Sequence, residues 1–132
     1  MKKNRTPLPP PCVLLYGLTQ DERSAVESAL SPLKIPCRPV EPEDLCQTVG
    51  HLAGFPGFEA RPAEELPAPQ ISCAVMAGVA RGLLDRLLPA FKASGVQIPL
   101  KAMVTPTNQL WPFYQLLQEL QREHEAMTRS RK

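Results

Sequence analysis

The chain has 132 residues, enough for one domain around one core. Apolar residues make up 43% and charged ones 21%, which is ordinary globular usage, and no apolar run reaches the 18 residues of a membrane-spanning helix. The net charge of +2 hides an uneven distribution. Six of the fifteen Lys and Arg residues sit in the first five and last four positions, leaving nine basic against thirteen acidic side chains between them, which argues against a nucleic-acid binder with a concentrated positive face.

In chain order, residues 1–11 form a basic, proline-rich N-terminal tail. Its Met-Lys-Lys start looks like a secretory leader, but Pro7 and Pro9–Pro11 interrupt it, so a cytoplasmic location is expected. A single domain spans 12–128. Val13–Tyr16 is a continuous apolar run, read as a strand buried on both faces. Thr19 and Glu22 have capping-box spacing, and Val26, Ala29, Leu30 and Leu33 mark one face of the helix that follows. Cys37–Glu41 is a second strand, weakened by Pro39 and so placed at a sheet edge. Glu41-Pro-Glu-Asp44 then opens a short helix carrying Leu45, Val49 and Leu52.

A loop at 55–70, rich in Gly and Pro, separates the halves 12–54 and 71–128. Ile71–Ala77 is the third strand. The next helix turns Leu83, Leu84, Leu87, Leu88 and Phe91 inward and is kinked at Pro89. Ile98–Val104 is the fourth strand. Thr105-Pro-Thr-Asn108 leads into a last helix whose stripe is Phe113, Leu116, Leu117, Leu120, His124 and Met127, and a basic tail closes the chain at 129–132.

Each half thus reads strand, helix, strand, polar-proline tetrapeptide, helix; V40-E-P-E-D44 matches V104-T-P-T-N108. The expected fold is α/β, a strand-helix-strand-helix unit used twice around a four-stranded, mostly parallel sheet. The alternative is a ferredoxin-like α+β sheet with added helices.

In open parallel sheets ligands gather beyond the carboxyl ends of the strands. That edge would collect Thr19, Glu41, Asp44, Thr105, Thr107 and Asn108, with Trp111 beside them to cover an apolar group. A plainer reading makes both tetrapeptides helix-start caps: proline ends the strand, and Asp44 and Asn108 take unpaired N–H groups. Phe55 and Phe58, in a loop without periodicity, either dock on the body or face a partner. The four cysteines form no CxxC pair, and Cys12 and Cys73 read as small buried hydrophobes. Cys37, Cys46 and His51 have poor metal-site spacing, so no metal or cofactor is expected. No phosphate-binding glycine motif is present.

At L100-K-A-M-V-T-P-T-N-Q-L-W111 and L116-L-Q-E-L-Q-R-E-H-E125 the sequence resembles a family of small bacterial proteins catalogued as domain of unknown function 3783. The resemblance covers about Ile71–Met127, and the L-A-G-F-P-G-F-E stretch at 52–59 resembles longer members. It implies a small soluble bacterial protein and carries over no catalytic residue. The expectation is a domain that binds a small anionic ligand or a protein partner without catalysis. The alternatives are an enzyme with its site near Thr105–Asn108, using Glu41, Asp44 or His124, or a nucleic-acid-binding module.

Overall fold

A computed structural model describes residues 11–130. The predicted tail 1–11 lies outside them apart from Pro11. Of the predicted tail 129–132, only Arg129 and Ser130 are inside, as the end of a helix. The strands are β1 (Cys12–Tyr16), β2 (Cys37–Val40), β3 (Cys73–Ala77) and β4 (Leu100–Met103). The helices are α1 (Gln20–Leu30), the single turn α2 (Val49–Leu52), α3 (Arg81–Ser94) and α4 (Phe113–Ser130), with short 3-10 turns at Ser31–Leu33, Pro42–Asp44 and Asn108–Leu110.

The sheet order is β2-β1-β3-β4. β1 pairs with β2 and β3 with β4 in parallel, while the central pair β1–β3 is antiparallel, with Cys12 opposite Ala77 and Tyr16 opposite Cys73. Strands of one half stay side by side; a ferredoxin-like sheet would interleave them. The sheet is therefore α/β and mostly parallel, built as two parallel pairs back to back.

Both faces are covered, so β1 and β3 are buried along their whole length. On one face Val13, Leu15, Ala74 and Met76 pack under α1 (Val26, Leu30) and α3 (Leu87, Phe91). On the other, Leu14, Tyr16, Cys73, Val75 and Ala77 meet Val49 of α2 and Phe113, Leu116 and Leu117 of α4. This alternation follows from the two-residue period of a strand. α1 starts where its capping box predicts, with Thr19 Oγ1 accepting the Glu22 N–H and Glu22 accepting the Thr19 N–H. α3 ends at Gly95 (φ 76°), a left-handed cap that favours glycine.

Two expectations need correction. Leu88 is 45% exposed and does not face inward. The apolar stripe of α4 also stops short: Leu120 is half-buried, whereas His124 is exposed and Met127 is 59% exposed. An 18-residue helix is about 27 Å long, while strands of four or five residues span about 16 Å, so the last turns of α4 overhang the sheet. Among the described residues no helix is long and apolar enough to cross a membrane.

Candidate functional site

The antiparallel pairing of β1 with β3 decides which residues can share a site. It sends the carboxyl ends of β1 and β2 to one edge of the sheet and those of β3 and β4 to the other. Thr19, Glu41 and Asp44 therefore stand at one edge and Thr105, Thr107 and Asn108 at the opposite one, about 16 Å away along the strands. The six residues expected to converge on one edge do not.

At the first edge, Glu41 Oε2 pairs with Arg23 at 3.2 Å, and the Glu41 N–H donates to Asp44 Oδ2 at 3.0 Å. The Tyr16 hydroxyl donates to the Pro69 carbonyl at 2.9 Å, and Gly17 (φ +79°) lies so close to the Ile71 carbonyl that a Cβ there would stand 2.5 Å from its oxygen. The linker is thus laid over this corner, and the remaining cavity, about 370 Å³, is lined by Arg23, Glu41 and residues 68–72.

The TPTN corner is built differently. The Val104 N–H donates inward to Met76 O at 2.9 Å, so the Met103 carbonyl and the Thr105 N–H point to the outer edge of β4. There the Asn108 carboxamide donates to Met103 O at 3.1 Å and accepts from the Thr105 N–H at 2.8 Å. It supplies the donor and the acceptor that the N–H and C=O of one residue in a further parallel strand would offer. The Asn108 N–H in turn donates to Thr105 Oγ1 at 3.0 Å. Asn108 is buried and its side chain is occupied within the turn. Thr105 and Thr107 are exposed. Trp111 is half-buried, and its carbonyl accepts the Val49 N–H at 2.9 Å, tying the corner to α2 beside the Thr48–Pro112 bridge.

Beside this corner lies a cleft of about 610 Å³ that sequence reading divided between two candidates. One wall is Val104, Thr105, Pro106 and Gln109; the other is Phe55, Pro56 and Phe58; the floor is the Gly78–Ala80 turn. Thr105 and the Phe55/Phe58 loop, expected as separate sites, share one surface. Among the described residues no titratable side chain lines it. Ala80, the residue before α3, supplies no side-chain cap, so that among the described residues the first N–H groups of that helix have no side-chain cap beside the floor.

The loop is held from α2. The Phe55 N–H donates to Gly50 O at 2.9 Å, and His51 Nδ1 lies 3.1 Å from Phe58 O. Gly50 is buried against the Phe58 ring. Sequence reading missed Gly50, His51, Val79 and Gln109 as shapers of this cleft. The signal available was the clustering of glycines around two phenylalanines.

A second cleft of about 650 Å³ lies between linker residues 61–66 and the start of α4, with Cys46, Arg61, Glu64 and Tyr114 in its walls. Gln47 pins that linker through two bonds to the Arg61 backbone, of 2.9 and 2.7 Å.

The cysteines are free thiols. Burial pushes the Cys73 thiol up to about 12, and burial, then Glu27 and Cys12, pushes Cys37 up to about 11. Burial also raises Cys12 against the opposing pull of Arg38. Such thiols stay protonated near neutrality and are poor nucleophiles. Among the described residues no three His, Cys, Asp or Glu side chains are grouped to hold a metal.

Compared with known proteins, residues 73–127 match the family model described as a domain of unknown function, DUF3783. No curated protein and no solved structure matches the chain.

Proposed function

With residues 73–127 belonging to the DUF3783 family, a membership that names no chemistry, we propose that the chain binds a small anionic ligand in the cleft between Thr105–Gln109 and Phe55–Phe58, and does not transform it. The observation that carries this reading is the make-up of the cleft. It is of small-molecule size, its walls are aromatic and aliphatic, and among the described residues it holds no acid, base or thiol. The ligand's flat apolar body would lie against Phe55, Phe58 and Val79. Its anionic group would sit by the Gly78–Ala80 turn, where uncapped helix N–H groups favour negative charge. Thr105 supplies a hydroxyl at the rim. Glu41 and Asp44 belong to the opposite edge and take no part, and Asn108 and Trp111 hold the wall in place.

The same reading takes the chain as a cytoplasmic bacterial protein and treats β1–α2 and β3–α4 as two uses of one unit. The second keeps the wider cleft, because the linker lies over the equivalent corner of the first and narrows it.

The test uses 1-anilinonaphthalene-8-sulfonate, an apolar aromatic anion, titrated into the folded protein. Saturable one-site binding is expected, weakened about tenfold (~1.4 kcal/mol) by Phe58→Ala and also weakened by Gln109→Glu, which adds a like charge to the rim. Binding that ignores both substitutions would overturn the assignment. So would a polypeptide, in place of a small molecule, retained on this face in native mass spectrometry.

A further inference from the structure

The aromatic wall of the cleft belongs to a loop, yet two adjacent residues of α2 fix it. A Cβ built on Gly50 would stand 2.8 Å from three atoms of the Phe58 ring, below any ordinary contact. The ring therefore lies flat on bare backbone. The next residue, His51, reaches the same phenylalanine from its other end, with Nδ1 3.1 Å from the Phe58 carbonyl. A carbonyl only accepts, so Nδ1 carries the proton and donates. That donor is present in the matching neutral tautomer and in the cation alike. α2 itself is anchored at its start, where buried Thr48 accepts the His51 N–H at 3.1 Å, and where the Val49 N–H meets the Trp111 carbonyl.

We propose that Gly50 and His51 are positioning residues that set where Phe58 stands, and so determine the width of ligand the cleft accepts. The inference rests on the cleft being a ligand site. Neither residue lines the cleft; both act through Phe58. A methyl group at position 50 moves the ring off α2, and loss of the His51 donor frees the carbonyl end of the same residue.

The experiment is a double-mutant cycle read with two aromatic anions of different width, 1-anilinonaphthalene-8-sulfonate and 1-naphthalenesulfonate, beside the NMR shift of the Gly50 Hα protons, which the ring current of Phe58 displaces. His51→Ala is expected to weaken the wider probe about threefold to tenfold, to change the ratio between the two probes, and to reduce the ring-current shift. His51→Asn, whose amide nitrogen takes the place of Nδ1, restores all three; His51→Gln does not. In a Phe58→Ala background His51→Ala adds nothing. Gly50→Ala changes the same probe ratio.

An equal effect of His51→Ala with and without Phe58 would overturn the inference. So would an unchanged ring-current shift. If neither probe binds the cleft of the unaltered protein, the ligand reading falls by itself, and the Gly50 shift still decides whether His51 places the ring.

Discussion

Replacing Asn108 by Asp keeps an oxygen that can accept the Thr105 N–H and removes the Nδ2 donor that serves the Met103 carbonyl. The new carboxylate then faces that carbonyl from about the distance of the lost bond, 3.1 Å, at a position only 8% exposed. A buried acceptor left without its donor costs about 1–3 kcal/mol, and two oxygens in repulsive contact place this case in the upper half of the range. Asn108→Ala loses both side-chain bonds but adds no charge and opens room for water, so about 1–2 kcal/mol is expected. The carboxylate variant should therefore be the weaker of the two at neutral pH. Protonation restores a donor, so the folded-state pKa of the introduced carboxyl lies above its unfolded value. Its deficit relative to Asn108→Ala is then absent below about pH 4 and grows as pH rises through the folded-state pKa. Asp44 is the internal control. It accepts the Glu41 N–H at 3.0 Å on an exposed turn, and Asp44→Asn should cost under about 0.5 kcal/mol. Urea unfolding midpoints with constant slope measure all three variants. If Asn108→Asp matches the wild type, or Asn108→Ala is the weaker at pH 7, the view of the carboxamide as a stand-in for the N–H and C=O of a strand residue is wrong.

Two further outcomes are expected. Because burial pushes the Cys73 thiol from its ordinary 9.0 up to about 12, its contribution is intact below pH 9 and is lost as pH rises from there toward 12, at up to ~1.4 kcal/mol per pH unit. Cys73→Ala should flatten that part of a stability profile taken between pH 8 and 11, and an unchanged slope would assign the alkaline loss to other groups. Gly17→Ala should cost about 2 kcal/mol or more in chemical denaturation, from both its positive φ and the collision with Ile71 O; a neutral result would mean that the linker does not lie over that corner.

Element identity was largely legible, because β1 and β3 are unbroken apolar runs and α1 announces itself through Thr19 and Glu22. The mutual direction of the halves was not. It is fixed by a linker without periodicity, whose placement depends on bonds such as Gln47 to Arg61 and Tyr16 to Pro69 that local patterning cannot reveal. That one unread direction split the candidate set, sending Glu41 and Asp44 away from Thr105–Asn108. Helical periodicity likewise says which face His124 and Met127 share with Leu120, and nothing about where the sheet beneath them ends. The cleft was half legible. Phe55 and Phe58 stood out for lacking periodicity, and Thr105 for following a strand, but their meeting required the fold. Gly50 looked like any helix glycine until the ring beside it was placed.

The antiparallel joint at the centre of the sheet bears on how a shorter chain of this kind would behave. The family match begins at Cys73, the first residue of β3, and leaves β1 outside. A polypeptide limited to that segment would carry β3 with its inner edge bare and its apolar side chains half covered. The edge that β1 offers β3 runs in the direction a second β3 would take across a two-fold axis, so two such polypeptides would rebuild a sheet of order β4-β3-β3-β4. In the 132-residue chain, β1 fills the place beside β3 that such a second strand would take. The two ends of the sheet then differ: the tether narrows the β1–β2 corner to about 370 Å³, while the β3–β4 corner keeps a cleft of about 610 Å³.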